Sequence, residues 1–106
     1  MDIQGAVILI TGASSGIGRT AAIAFDRAGA KVAMAARRRE NLEENAARMK
    51  NALVLPTDLS DERQAVAMVE KTVEHFGRID VLINNAAAII VSRADEVTSD
   101  DLLRSF

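Results

Sequence analysis

Residues 11–18 read Thr-Gly-Ala-Ser-Ser-Gly-Ile-Gly, directly after the apolar run Ala6-Val7-Ile8-Leu9-Ile10 and directly before a helical pattern. A strand that turns through three glycines into a helix leaves unpaired backbone N–H groups and the positive end of the helix dipole facing one point. That point attracts a phosphate. Ile17, Ala21, Ala24, Phe25 and Ala28 recur at i, i+4, i+7, i+8 and i+11, which predicts one apolar stripe, and Gly29 predicts the helix stop. By analogy with dinucleotide-binding turns, Gly12 permits the tight turn, Gly16 lets backbone approach a pyrophosphate, and Gly18 lets the helix pack closely on the strand. The candidate contacts in this turn are therefore Gly12, Ser14, Ser15, Gly16, Ile17 and Gly18.

Three other readings of the turn compete. A P-loop needs Lys-Ser/Thr after its last glycine, whereas Arg19-Thr20 follows Gly18. Gly12-Ala13-Ser14-Ser15-Gly16 also fits the Gly-x-Ser-x-Gly nucleophile elbow of a serine hydrolase. Its triad would need His75, the only histidine, which falls on a predicted helix just before Gly77. A ligand-free turn is the third reading, and it pays the entropy of three glycines with no return in packing.

The rest of the chain alternates strand and helix. Lys31 to Ala36 reads as a second buried strand, followed by Arg37-Arg38-Arg39; Leu42, Ala46 and Met49 then recur at helical spacing. Ala52 to Leu55 is a third strand, ended by Pro56 and Thr57-Asp58. Ser60 is the predicted N-cap of a helix whose apolar stripe is Val66, Val69, Val73 and Phe76, with Gly77 closing it. Ile79 to Ile83 form a fourth strand, and Asn84-Asn85 leave its carboxyl end. This alternation predicts an α/β fold, a Rossmann-type doubly wound parallel sheet with spatial order 3-2-1-4. In that order the 11–18 turn and the 84–87 turn face one crevice at the switch point. The fourth strand is then an unprotected edge through which two copies of the chain could pair.

The pattern Thr11-Gly12-x-x-x-Gly16-x-Gly18, with Asn84-Asn85-Ala86-Ala87 at a later strand end, resembles the short-chain dehydrogenase/reductase family. The resemblance covers essentially the whole chain. It implies a nicotinamide cofactor and hydride transfer between that cofactor and a small carbonyl or alcohol substrate. Ala87 departs from the family pattern, which has glycine there, and a methyl group adds strain wherever the backbone needs positive φ.

An acidic residue about 20 positions past the glycines marks NAD in dinucleotide folds. Here that position is Ala36, followed at once by Arg37. In the resembling family an arginine at this place indicates NADP, and a planar guanidinium can hold a phosphate bidentately. Asp58-Leu59 resembles the family's Asp-Val pair beside the adenine; equally, Asp58 can belong to the start of the following helix. The resemblance also puts Asn85 and Ala86 near the nicotinamide ribose, while Asn84 reads as structural, tying neighbouring strand ends.

The family's catalytic tyrosine and lysine fall beyond position 106, and the chain has no tyrosine, so no catalytic residue is assigned. His75 reads as a surface helix residue. A net charge of −2 gives no general attraction to nucleic acid, and the absence of cysteine with one histidine removes the usual metal ligands. No run reaches the ~18 apolar residues of a membrane span and no signal peptide is evident, so a cytoplasmic chain is expected. Thr98-Ser99-Asp100-Asp101 predicts the start of an amphipathic helix with Leu102, Leu103 and Phe106. A chain closing inside that helix is expected to be the cofactor-binding half-domain, residues 1–106, with the catalytic part absent. The competing expectation is a stand-alone nucleotide-binding or interaction module without turnover.

Overall fold

The computed structural model describes residues 3–14, 16–84 and 89–91, the last three as backbone only. The chain runs β1 (Val7–Thr11), α1 (Gly16–Arg27), β2 (Lys31–Ala36), α2 (Arg39–Ala46), β3 (Ala52–Pro56), α3 (Glu62–Phe76), β4 (Val81–Asn84) and β5 (Ile89–Val91). Every residue of β1 is buried, as a central parallel strand requires when helices cover both of its faces. Ile8 and Ile10 face a core with Ala22 of α1 and Leu42 of α2, whereas Leu9 faces the other way, towards Met68 and Val69 of α3. The period-2 alternation of one strand thus builds two hydrophobic layers. Each such side chain contributes roughly 1.5–3 kcal/mol by its burial.

The sheet order is β3-β2-β1-β4-β5, and the first four strands are parallel, as expected from the sequence. The fifth was not anticipated. Ile89–Val91 runs antiparallel to β4, with Val81 opposite Val91 and Ile83 opposite Ile89. The expected exposed edge at β4 is therefore corrected, because β5 covers it. Only four residues separate the two strands, a hairpin-like length, and Ile-Ile-Val is β-branched throughout.

The helices sit rotated by about one residue from their expected stripes. In α1 the buried row is Gly18, Ala22 and Asp26, with Ala21 and Phe25 partly buried beside it, while Ile17 is 83% exposed. Gly18 at one end of the row is buried. At the other end Asp26 turns inward to accept bonds from the backbone N–H groups of Lys50 (2.9 and 3.0 Å) and Asn51 (3.0 Å), which fixes the rotation. In α3 the buried row is Ala65, Met68, Val69 and Thr72, and Val73 is 38% exposed. Thr72 tolerates burial because its hydroxyl donates to the Met68 carbonyl at 2.8 Å.

The expected N-cap Ser60 is also corrected to Asp61, whose carboxylate accepts from the Arg63 N–H at 3.0 Å. Ser60 instead donates to Asp58. The glycine stops hold: Gly29 has φ +95° after α1, and Gly77 has φ +88° and donates to the Val73 carbonyl at 2.7 Å. The helix expected from Thr98 lies outside the described residues.

Candidate functional site

Parallel pairing brings four strand ends to one edge of the sheet. Thr11 lies opposite Ala35 on one side and Asn84 on the other, and Ala36 lies opposite Pro56. The glycine turn, the Arg37 segment, the Thr57-Asp58 segment and Asn84 consequently share the carboxyl edge. The switch point falls between β1 and β4, where the connections leave in opposite directions.

Hydrogen bonds stitch this edge together. The Gly12 N–H donates to the Ala35 carbonyl at 2.8 Å, and the Thr57 N–H donates to the Ala36 carbonyl at 2.7 Å. The Thr11 hydroxyl is buried and donates to Asn84 Oδ1 at 3.2 Å, with the Ile83 carbonyl 3.4 Å away. Asn84 therefore ties two strand ends, as its position in the sequence suggested.

Gly12 and Gly16 adopt φ +65° and +61°, left-handed values that an L side chain rarely takes. A Cβ built on Gly16 would meet nothing within 4 Å. Backbone conformation, rather than crowding, therefore demands glycine there, and the start of α1 is left open on that side. Exposed Ile17 stands beside it and Ser14 is half-buried. A hollow of about 760 Å³ along the outer face of α1 is lined by Gly16, Ile17, Arg19, Thr20, Ala21 and Ala24. Ser15, Asn85, Ala86 and the departure at Ala87 lie outside the described residues.

Arg37 and Asp58, expected from separate motifs, meet directly. Arg37 Nη2 donates to Asp58 Oδ1 at 3.2 Å, with side chains 73% and 37% exposed. The same oxygen accepts from the Ser60 hydroxyl at 2.7 Å and the Ser60 N–H at 3.0 Å. The Ser60 hydroxyl, then the Ser60 N–H, then the Arg37 guanidinium hold the Asp58 carboxyl below its ordinary value. Asp58 thus takes the second of its two expected roles, organising the approach to α3, and it also pairs with the arginine at the carboxyl edge. Leu59 is partly buried against the α3 side of the core.

Asn45 is the site residue that sequence reasoning missed. From α2 its Nδ2 donates to the Ala13 carbonyl at 3.0 Å and the Ser14 carbonyl at 3.4 Å, bracing the glycine turn from below. A signal existed: Asn45 follows Leu42 at i+3, a polar residue on the only apolar face of α2.

The hydrolase alternative gains no support from the geometry. α3 returns the chain to the start of β4, so His75 in its last turn lies towards the amino end of the sheet, edge-on to Phe76 at 4.6 Å. His75 also lines a groove of about 730 Å³ along the β3 edge, with Leu53, Met68 and Lys71, and that groove contains none of the glycine-turn residues. Among the described residues no cluster of ligands could hold a metal, and no helix is long and apolar enough to cross a membrane.

The sequence signature of the short chain dehydrogenases matches residues 6–106. The 11-beta-hydroxysteroid dehydrogenase A of Sesamum indicum is 40% identical over 101 residues, spanning 91% of this chain and 29% of its own length. A 3-ketoacyl-(acyl-carrier-protein) reductase from Brucella melitensis, solved in complex with NADH, matches at 38% identity and TM-score 0.73, over 76% of this chain and 33% of that one. A short-chain type dehydrogenase/reductase from Mycobacterium marinum matches at 32% identity and TM-score 0.77, over 98% and 44%. This chain spans less than half the length of each of these relatives. The signature covers nearly every residue and the parallel sheet carries its glycine turn at the switch point: the chain belongs to the short-chain dehydrogenase family.

Proposed function

We propose that residues 1–106 form the NADP-binding half-domain of an oxidoreductase that moves hydride between NADP(H) and a carbonyl or alcohol substrate. The observation that carries this reading is the carboxyl edge itself, where the open backbone at Gly16 and the exposed Arg37 guanidinium follow the ends of the adjacent strands β1 and β2. The residues fit a dinucleotide. Backbone from Gly12 to Gly18, with Ser14, Ser15 and Ile17, would hold the pyrophosphate at the start of α1. Arg37 would hold the 2′-phosphate, because Ala36 offers no carboxylate to the ribose hydroxyls. Asp58 and Leu59 would flank the adenine, and Asn85 and Ala86 the nicotinamide ribose. When bound, the nicotinamide supplies the hydride chemistry, and the protein supplies position and electrostatics.

Arg37 already carries an anionic partner in Asp58. A dianionic phosphate competes with that single carboxylate for the guanidinium, and the pair is exposed enough for salt to weaken it. Isothermal titration is expected to show NADP bound more tightly than NAD at low salt, with the gap shrinking as salt rises. Arg37→Ala is expected to reduce NADP affinity about tenfold or more while leaving NAD affinity nearly unchanged, the size of one charge-assisted contact. Equal affinity of the unmodified chain for the two cofactors at low salt would overturn the assignment.

A further inference from the structure

Asn45 is 2% exposed, and it spends its amide on two carbonyls that lie 31 and 32 residues away. An amide so buried is costly unless hydrogen bonds offset its desolvation. Both bonds of that amide go to the turn, so what it contributes lies there.

We infer that Asn45 is a positioning residue for the pyrophosphate of the dinucleotide, acting through the Ala13 and Ser14 carbonyls; this rests on the dinucleotide reading above. The Ala13–Ser14 peptide is trans and planar, so its C=O and N–H point in opposite directions. Turning the Ala13 oxygen towards Asn45 directs the Ser14 N–H to the other side of the turn, away from the interior. Two partial negative charges are thereby held back from an approaching anion, and a donor is presented in their place. Without the Asn45 amide, either carbonyl is released to rotate outward against the phosphate. The effect falls on the pyrophosphate that NAD and NADP share, and so differs from that of Arg37.

The test titrates the full chain and Asn45→Leu with NAD, NADP and adenosine 2′-monophosphate, which keeps the Arg37 contact but has no pyrophosphate. Weak binding of the last is followed by amide chemical shifts. Asn45→Leu is expected to weaken NAD and NADP by a similar factor, roughly tenfold, and to leave adenosine 2′-monophosphate unchanged. Unchanged dinucleotide affinity, or equal weakening of all three ligands, would overturn the inference. Failure of the unmodified chain to bind any of the three would instead refute the dinucleotide reading. A second measurement needs no variant and so survives an unfolded Asn45→Leu: hydrogen exchange of the Asn45 side-chain amide is expected to slow with NAD and not with adenosine 2′-monophosphate. Exchange at the same rate with and without NAD would equally overturn it.

Discussion

Arg37 and Asp58 lie 21 residues apart and were singled out for different parts of one ligand, yet each is the other's partner. Sequence marked both positions through their place after strands, but it could not show that they touch. Asp58 titrates below its ordinary value of 3.8. A depressed folded-state value contributes stability that is complete above the unfolded value and is lost as pH falls through the folded one. The stability gap between the unmodified chain and Asp58→Ala is therefore expected to be constant near neutral pH and to close only as pH falls below 3.8, measured by urea unfolding at several pH values. The Ser60 hydroxyl is the leading cause of the shift, so Ser60→Ala is expected to raise the Asp58 value towards its ordinary one. A carboxyl-carbon NMR titration of the unmodified chain and of Ser60→Ala reads that rise directly, and an unchanged Asp58 value in the variant would contradict it.

Among the elements, α1 and α2 are the informative pair. Asp26, in the last turns of α1, accepts from the N–H groups that lead into β3, and Asn45 of α2 reaches back to the turn that opens α1. Each helix is thus fixed by the backbone next to the other. Asp26→Ala strands the N–H groups of Lys50 and Asn51 in a partly buried position and is expected to cost roughly 1–3 kcal/mol, measured by thermal or urea unfolding. A loss within error would mean that water replaces the carboxylate. The existence of these helices was legible from apolar spacing and the end of α1 from Gly29, whereas α2 stops at Ala46, short of Met49 in its expected stripe. Their rotation was not legible, because Ala is small enough to lie on either side of a stripe, and a buried Asp or Thr looks like a surface residue until its hydrogen bonds are known.

At the scale of the whole molecule, a dinucleotide site does not amount to a reductase. Hydride transfer needs a group to give or take a proton at the substrate oxygen, typically worth 10²–10⁴-fold, together with a surface that orients the substrate. The 106 residues contain no tyrosine, the residue that the family resemblance assigns to this step. With NADPH and a panel of ketones and aldehydes, this chain alone is expected to give no protein-dependent loss of the reduced nicotinamide absorbance. Turnover that survives His75→Ala would refute that expectation. The sheet adds a second consequence, since β3 and β5, rather than β4, bound the described strands. Association through an edge is expected at β3, where, among the described residues, Ala52 to Pro56 pair on one side only. Light scattering of the unmodified chain and of Val54→Lys tests this, and an unchanged oligomer in the variant would exclude that edge.

Short-range demands in the sequence determined the strand-turn-helix at 11–18, the alternation of elements and the parallel order β3-β2-β1-β4. A left-handed φ, a period of 2 or 3.6 and a glycine stop are each specified within a few neighbouring residues. Once strands and helices alternate, crossover geometry leaves little choice of order. Tertiary structure alone decided that Arg37 pairs with Asp58, that Asn45 braces the glycine turn, that Asp26 sets the rotation of α1, and that Ile89–Val91 pairs with β4. These contacts depend on which residues strand register and helix packing bring within about 3 Å of one another. No local pattern encodes that, because a shift of one residue in register or rotation leaves the local pattern intact and changes every partner.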